Sequence, residues 1–522
     1  MKIVVAEKIA PAAMKVLEEI PDSTVVTPEQ FALDPKAAVR DADGLIVRSA
    51  VQADAALIEA AGSMRVIGRA GVGVDNIDVE TATRRGIVVM NAPGASAVSV
   101  AELTLGLMLA MARHIPRADV TTRGGKWDKK NLQGTELSGK TLGIVGLGRI
   151  GTESAQRARA FGMNLIGSDP YLSPSRAKEL GIELVSLDEL YAQADYISLH
   201  LALSHQTANM INAEAIAKMK PGVRLVNCAR GELVDEAAVE AALRSGHIAA
   251  AALDVFREEP PVNSGLLSAP NLVATPHLGA STREGQEAVG IQIARQVRDY
   301  LLDGIAQNAV NLPSLSDVEY QQIKPYMALA AKLGRFAAQL FTSNLEEIEV
   351  RFQGEVGGWK TQLIRSAAVA AILRSDESES TNIINAQAAA EARGVVVRET
   401  RIEPESRVNF LHLRLSGATS SVECSGTLVH GTVPRLTRLN GIEIESHLDG
   451  TFIVFSNFDE PGVVGYIGTV LGRRGINIAR FSLGRADHQA LAIVQVDEVV
   501  SPEVLAELRG SPSVKSISSV KV

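Results

Sequence analysis

Gly146-Leu-Gly148-Arg-Ile-Gly151 is the most constraining stretch of the chain, because of what flanks it. Before it, Thr141-Leu-Gly-Ile-Val145 is an apolar run that reads as a buried strand; after it, Thr152 to Phe161 is compatible with a helix. Strand, glycine turn and helix in that order specify a parallel α/β unit. Glycine permits the tight turn at Gly146, close backbone approach to a ligand at Gly148, and close helix–strand packing at Gly151. The free N–H groups at the start of such a helix, with the positive end of its dipole, favour a phosphate.

Glycine turns also occur as plain structure, so the deciding residue is an acid about 20 positions on, at the end of the next strand. Met163-Asn-Leu-Ile-Gly-Ser-Asp169 supplies it, followed by Pro170 and Tyr171 in place of a basic residue. A carboxylate there accepts from the adenosine ribose hydroxyls and repels a 2′-phosphate. The expected cofactor is therefore NAD, on Gly146, Gly148, Gly151 and Asp169.

A chain of 522 residues is long enough for about three or four domains. Its net charge of −8 and lack of any Lys/Arg block give no reason to expect nucleic acid or an anionic membrane as partner. Cys228 and Cys424 stand far apart without metal spacing, so neither a disulfide framework nor a metal site is indicated. Met1-Lys-Ile-Val-Val-Ala-Glu-Lys8 breaks its apolar run with charge too early for a signal peptide. Val98 to Ile115, the longest apolar helix candidate, carries Glu102 and is too short and polar to span a bilayer. A soluble, cytoplasmic protein is expected.

Lys2 to Ala6, Asp43 to Arg48, Met64 to Arg69 and Gly86 to Asn91 read as short strands separated by helical segments, the pattern of a parallel sheet. Further strands are expected at Tyr196 to Leu201, Val223 to Asn227, Ala250 to Val255 and Leu272 to Ala274, and a helix at Gln286 to Asp303. The first unit has few obvious strands, so the chain is expected to return to it near Ala309 to Leu312. Beyond Pro313, Leu345 to Val356, Asn409 to Ser416 and Ser421 to Gly431 alternate with period 2, and His412 and His430 stand alone as packing or surface residues. Gly441 to Val522 reads as strand, helix, strand, strand, helix, strand. The expected fold is α/β: a Rossmann-type domain (98–284) inserted in a flavodoxin-like domain (1–97 and 285–313), then an α+β domain (314–448) and a ferredoxin-like domain (449–522).

Three clusters lie at the ends of candidate strands: Asn227-Cys-Ala-Arg230-Gly231, Leu253-Asp-Val-Phe-Arg-Glu-Glu259-Pro260, and Thr275-Pro-His277-Leu-Gly-Ala-Ser-Thr282. In a doubly wound sheet such ends converge on the cofactor crevice. Each residue alone has a plain structural reading. Together, behind a dinucleotide loop, they suit hydride transfer from a hydroxyl-bearing carbon: His277 to take the proton, Glu259 to orient and charge-balance the imidazole, Arg230 to grip a carboxylate or carbonyl oxygen. Cys228 has no base beside it in sequence and reads as a wall residue.

These motifs resemble the D-isomer-specific 2-hydroxyacid dehydrogenases over about residues 1–313. The resemblance implies that Arg230, Glu259 and His277 are the catalytic set. It implies that Arg149 and Ile150 present backbone to the pyrophosphate and that Asp254 accepts from the nicotinamide carboxamide. Cys228, Ala229, Gly279 and Ala280 would wall the same site, and the helix from Val98 would build a tight homodimer. One departure is Leu201-Ala202, where many relatives carry proline after the histidine.

Arg48, Ser49 and Arg69 at strand ends could hold a phosphate and a carboxylate, with Gly71, Val72 and Gly73 offering backbone N–H groups. Gly124-Gly-Lys126-Trp127-Asp-Lys129-Lys130 could add charge across a dimer interface. Phe458-Asp459-Glu-Pro461-Gly462 with Gly475-Ile-Asn477 resembles an ACT domain, an amino-acid-sensing module. Asn457, Asp459 and Asn477 are its candidate ligand contacts. About Ser314 to Leu448 resembles the intervening domain found in long members of the family that oxidise 3-phosphoglycerate. The resemblance thus implies 3-phosphoglycerate as substrate, L-serine as effector, and a homodimer or homotetramer. A glyoxylate/hydroxypyruvate reductase is the alternative enzyme, and a non-catalytic NAD(H)-sensing protein is the alternative of another class.

Overall fold

The computed structural model describes residues 1–522 except 263, 314, 316, 375–380, 403–407 and 487–488, with backbone alone for 317 and 489. Its first sheet is built from β1 (Lys2–Val5), β2 (Thr24–Val26), β3 (Gly44–Val47), β4 (Val66–Arg69) and β5 (Val88–Asn91). All pairs are parallel and the order is β2-β1-β3-β4-β5, the flavodoxin-like winding. Alternate residues feed two cores: Ile3, Val5, Ile46, Val66 and Val88 on one face, Val4, Leu45, Val47, Ile67 and Val89 on the other. This is why these strands read as continuous apolar runs. The Arg283–Asp303 helix starts at Thr282, whose hydroxyl accepts from Gly285 N–H, and ends at Gly304 with φ 72°. It lays Val289, Ile293, Val297 and Leu301 on the first sheet. The chain then runs beside β5: Val310 N–H donates to Val89 O at 2.8 Å and Asn311 Oδ1 accepts from Val89 N–H at 3.0 Å.

The second sheet comprises β6 (Thr141–Val145), β7 (Asn164–Ser168), β8 (Glu183–Leu184), β9 (Tyr196–Leu199), β10 (Val223–Asn227), β11 (Ile248–Leu253) and β12 (Leu272–Ala274). It is wholly parallel in the order β12-β11-β10-β9-β6-β7-β8. The direction of winding reverses between β6 and β9, which opens the crevice where dinucleotides bind. The Ala97–Ala112 helix covers one face through Val100, Met108 and Met111. Among the described residues no single helix is long and apolar enough to cross a membrane; Ala97–Ala112 and Ile115–Arg123 reach that length only as a pair bent by 61°.

The C-terminal half changes character. A six-stranded mixed sheet has the order β14-β13-β15-β16-β17-β18, from β13 (Glu347–Gln353), β14 (Val396–Ile402), β15 (Phe410–Ser416), β16 (Ser421–Val429), β17 (Val433–Leu439) and β18 (Ile442–His447). Two features depart from the sequence reading. A helix over Asp317–Leu340 fills a stretch for which no element is expected, its pattern interrupted by Pro325. And Ile442–His447 belongs to this sheet, in keeping with the expected 314–448 bounds but not with the strand-helix pattern read from Gly441 onward, because Asn440 and Gly441, both left-handed (φ 48° and 82°), make a two-residue hairpin that folds β18 back on β17. The last unit contains β19 (Thr451–Phe458), β20 (Ile478–Ala486), β21 (Gln489–Val496) and β22 (Val514–Lys521), antiparallel in the order β20-β21-β19-β22, with helices Val463–Arg473 and Pro502–Arg509 on one face. Its other face shares one apolar core with the intervening sheet: Phe452, Val454, Leu491, Ile493 and Val520 join Leu333, Phe336, Leu413 and Leu436.

Candidate active site

The carboxyl ends of the two parallel sheets face a common cleft of about 1030 Å³. On the cofactor side, Gly146 takes φ +91° against the His200 carbonyl, and a β-carbon at Gly151 would collide with the Gly146 carbonyl. A β-carbon at Gly148, by contrast, would meet open space. The Arg149–Ala160 helix begins there with no side-chain cap, leaving its first N–H groups, including those of Arg149 and Ile150, directed at that space. Asp169 closes the site from β7, its carboxylate accepting from Leu147 N–H at 2.7 Å and Tyr171 N–H at 2.8 Å. A glycine cradle, uncapped helix N–H groups and an acid at the neighbouring strand end fit a dinucleotide.

The catalytic candidates converge. His277 sits in the left-handed region at φ 56°, its N–H donating to Asp254 O at 2.8 Å. Its Nδ1 lies 2.7 Å from Glu259 Oε2, while Glu259 Oε1 accepts from Phe256 N–H at 3.1 Å. A carboxylate fixed at both oxygens therefore sets the imidazole and leaves Nε2 for a substrate. Arg230 comes from the turn after β10, where Asn227 is fully buried and its amide binds Arg230 O at 2.7 Å and Ala229 N–H at 3.0 Å. Gly231 brings this turn against Phe256 with no room for a side chain, which joins the Arg230 and Glu259 loops.

Asp254 does not border the cleft. It is fully buried, and its carboxylate accepts from Thr275 Oγ1 at 2.5 Å and from the N–H groups of Leu278 and Gly279 at 2.8 Å each. In this structure its bonds hold the His277 loop. Cys228 is buried in the cleft wall, where burial pushes its thiol up to about 12, far from a nucleophile's range. Ala229 and Ala280 line the same wall, as does Gly279. His200 also borders the cleft, with Nε2 2.9 Å from Ser198 Oγ, and burial pushes its imidazole down to about 4.

On the facing side, Arg48, Ser49, Arg69, Gly71, Val72 and Gly73 all line the cleft. Glu7 accepts from the N–H groups of Arg48 (2.8 Å) and Val51 (3.0 Å), and Asn76 bonds the carbonyls of Arg48 (2.8 Å) and Val51 (2.7 Å), so the loop is braced from both sides. The Arg48 guanidinium binds Lys8 O at 3.0 Å and the Gln286 side chain. Arg69 differs: its Nε is buried without a partner, and burial, then the charge of Arg230, pushes the guanidinium down to about 10. Its head lies over Gly71, where any side chain would block it. Gly71 N–H is taken by Arg69 O at 2.8 Å, and its carbonyl accepts from Ala92 N–H. An anion placed here would meet an under-satisfied cation.

Sequence reasoning missed the bracing residues Glu7, Asn76 and Gln286, the tie of Thr275 to Asp254 within a motif it did single out, and Asp75, whose Oδ2 accepts from Arg230 Nε at 3.0 Å. Only the Asp75-Asn76 pair, typical of turns, carried a signal.

The three effector candidates are not bonded to one another. Asn457 is buried, its amide donating to Phe458 O at 2.6 Å and its Oδ1 unpartnered. Asp459 pairs with Arg485 at 3.4 Å, and Asn477 donates to Asp497 at 2.6 Å. The Val463–Arg473 helix starts at Gly462 (φ 97°) with no side-chain cap.

Residues 105–279 match the D-isomer specific 2-hydroxyacid dehydrogenase NAD binding domain, residues 322–440 the D-3-phosphoglycerate dehydrogenase intervening domain, and residues 451–512 the ACT domain. The chain is 40% identical to a D-3-phosphoglycerate dehydrogenase of Methanocaldococcus jannaschii over 527 aligned residues, covering 100% of both chains. It is 38% identical to a D-3-phosphoglycerate dehydrogenase of Bacillus subtilis, covering 92% of each. Among solved structures, a glyoxylate reductase from Paecilomyes thermophila superposes with TM-score 0.54 at 35% identity over 59% of this chain and 98% of its own. D-lactate dehydrogenase from Aquifex aeolicus, complexed with NAD and lactic acid, superposes with TM-score 0.54 at 27% identity over 60% of this chain and 100% of its own. Those two cover about three-fifths of this chain, whereas the two sequence relatives cover 92% or more of it. The chain belongs to the D-3-phosphoglycerate dehydrogenases.

Proposed function

We propose that the protein oxidises 3-phospho-D-glycerate at C2 to 3-phosphohydroxypyruvate with NAD⁺, the entry step to L-serine. The observation that carries this reading is the His277–Glu259 pair at 2.7 Å in one cleft with Arg230 and the under-satisfied Arg69. Gly146, Gly148, Gly151, the N–H groups of Arg149 and Ile150, and Asp169 would hold the cofactor, with Cys228, Ala229, Gly279 and Ala280 as walls. When bound, NAD⁺ supplies the hydride acceptor. His277 Nε2 takes the C2 hydroxyl proton, and Glu259 stabilises the imidazolium that results. Arg230 grips the substrate carboxylate and draws charge from the oxygen at C2. The Gly71–Gly73 loop, against which Arg230 lies, stands beside the carboxylate, and Arg48, Ser49 and Arg69 receive the remaining anionic end. Asp254 acts through the His277 loop that it ties down.

L-serine is the proposed effector, bound at the ACT domain near Asn457, Asp459 and Asn477, with the uncapped helix after Gly462 receiving its carboxylate. A homodimer through the Ala97–Ala112 helix, extended to a homotetramer, is the proposed assembly; Trp127, 85% exposed, and Lys130 would lie at its rim. A cytoplasmic location suits two buried free thiols. The test is NADH oxidation with 3-phosphohydroxypyruvate, hydroxypyruvate and pyruvate side by side. The phosphorylated substrate should be turned over at least about tenfold more efficiently, given a charged contact at the far end. Equal efficiency on all three would reassign the protein as a general 2-hydroxyacid reductase. Calorimetric titration with L-serine, run separately, tests the effector.

A further inference from the structure

Asp75 and Arg230 are 155 residues apart and stand on opposite sides of the cleft, Asp75 in the loop after β4 and Arg230 in the turn after β10. Every nitrogen of the Arg230 guanidinium has a defined setting. Nε donates to Asp75 Oδ2 at 3.0 Å, Nη1 donates to Ala229 O at 2.6 Å, and Nη2 lies over the α-carbon of Gly73, where a β-carbon would displace it. Two anchors thus fix the plane and leave Nη2 as the donor turned toward the substrate loop. Asp75 also lowers a repulsion: Arg69 feels the positive charge of Arg230 and the compensating negative charge of Asp75. Without Asp75 the repulsion between the two guanidinium groups would be offset at Arg69 by the weaker influence of Glu7.

We propose that Asp75 is a positioning residue, which holds Arg230 in its working orientation across the interdomain cleft and balances it against Arg69. This rests on the substrate-gripping role given to Arg230 above. A misplaced guanidinium costs turnover, because alignment of the gripped oxygen is lost. The same change leaves one more net positive charge in the cleft, which strengthens the hold on any small anion. A merely structural residue would weaken both together.

The test compares Asp75→Ala, Asp75→Glu and Arg230→Ala with the full-length wild type, measuring kcat and KM for 3-phosphohydroxypyruvate and inhibition by inorganic phosphate. Asp75→Ala should lower kcat by about tenfold to a hundredfold. Its KM should not rise, and phosphate should inhibit more strongly. Asp75→Glu should recover kcat to within about fivefold of wild type, since this 62% exposed side chain has room for one more methylene and keeps a charged hydrogen bond. An Asp75→Ala kcat within about twofold of wild type overturns the proposal, as does a fall in kcat with phosphate inhibition unchanged or weakened. If Arg230→Ala keeps normal turnover, the role of Arg230 falls and the proposal falls with it. If Arg230→Ala loses turnover while Asp75→Ala does not, the Asp75 proposal alone is lost.

Discussion

The two halves of this chain join their paired sheets in opposite ways. In the N-terminal half, two parallel sheets with separate cores face each other across an open cleft whose lining includes the charged residues Arg48, Arg69, Arg230 and Glu259, with His277. In the C-terminal half, the intervening and ACT sheets are welded through the Asp317–Leu340 helix into one dry core. An open seam bridged by directional bonds can open and close around a ligand; a packed apolar one transmits displacement as a unit. Chemistry fits the first kind of seam, and the effector response proposed for the ACT domain would use the second.

Four experiments would break or sharpen that contrast. The largest effect is expected from His277→Ala, which should cost about 10² to 10⁴ in kcat with thermal unfolding unchanged. Near-normal turnover would remove the acid/base assignment and with it the claim that the cleft is the reacting seam. Phe452→Ala strikes the other seam. Phe452 is fully buried with its ring edge-on to Phe336, centroids 6.2 Å apart, and its truncation should cost about 3–5 kcal/mol in denaturant titration while kcat is kept. A loss below about 1 kcal/mol would mean the two sheets are not energetically one.

Acid should act on the cleft side. Burial holds His200 near 4 against an ordinary 6.5, so on acidification the unfolded chain takes up its proton first. Stability from this group is intact above about 6.5 and is lost as pH falls from 6.5 toward 4, by at most about 3 kcal/mol, with the cleft-facing edge of the ring reducing the figure. His200→Gln should flatten that part of the stability–pH curve; an unchanged slope would place the acid sensitivity elsewhere. The smallest effect is expected from Asp169→Ala, which should weaken NAD binding about tenfold and narrow the preference over NADP, read from the two KM values. An unaltered ratio would show that Asp169 serves Leu147 and Tyr171 alone.

The same contrast explains how much was legible in the sequence. The parallel half announces itself locally: each strand is a short apolar run, each functional side chain sits at a strand end, and winding rules bring those ends together. The sequence alone therefore groups Arg230, Glu259 and His277, and all three line one cleft. What stayed hidden were bonds across sequence distance with no pattern of their own, such as Glu7 to the Arg48 loop, Asp254 to Thr275, and Asp75 to Arg230. In the C-terminal half, Pro325 masks a 24-residue helix, and β14 is an edge strand whose Arg398-Glu-Thr-Arg401 run carries little apolar signal. Its partnership with the ACT sheet is written in faces of strands far apart in the chain, which no local period reveals.

The continuous core through Phe336 and Phe452 bears on where this protein can be divided. The boundary between the intervening and ACT units looks like a natural place to cut, since one family match ends at residue 440 and the next begins at 451. A cut there would strip Leu333, Phe336 and Leu436 of their apolar partners and expose Phe452, Val454 and Ile493 on the released piece. The ACT and intervening units are therefore one transplantable part, and a chimaera that borrows the ACT domain must borrow the helix from Asp317 onward as well.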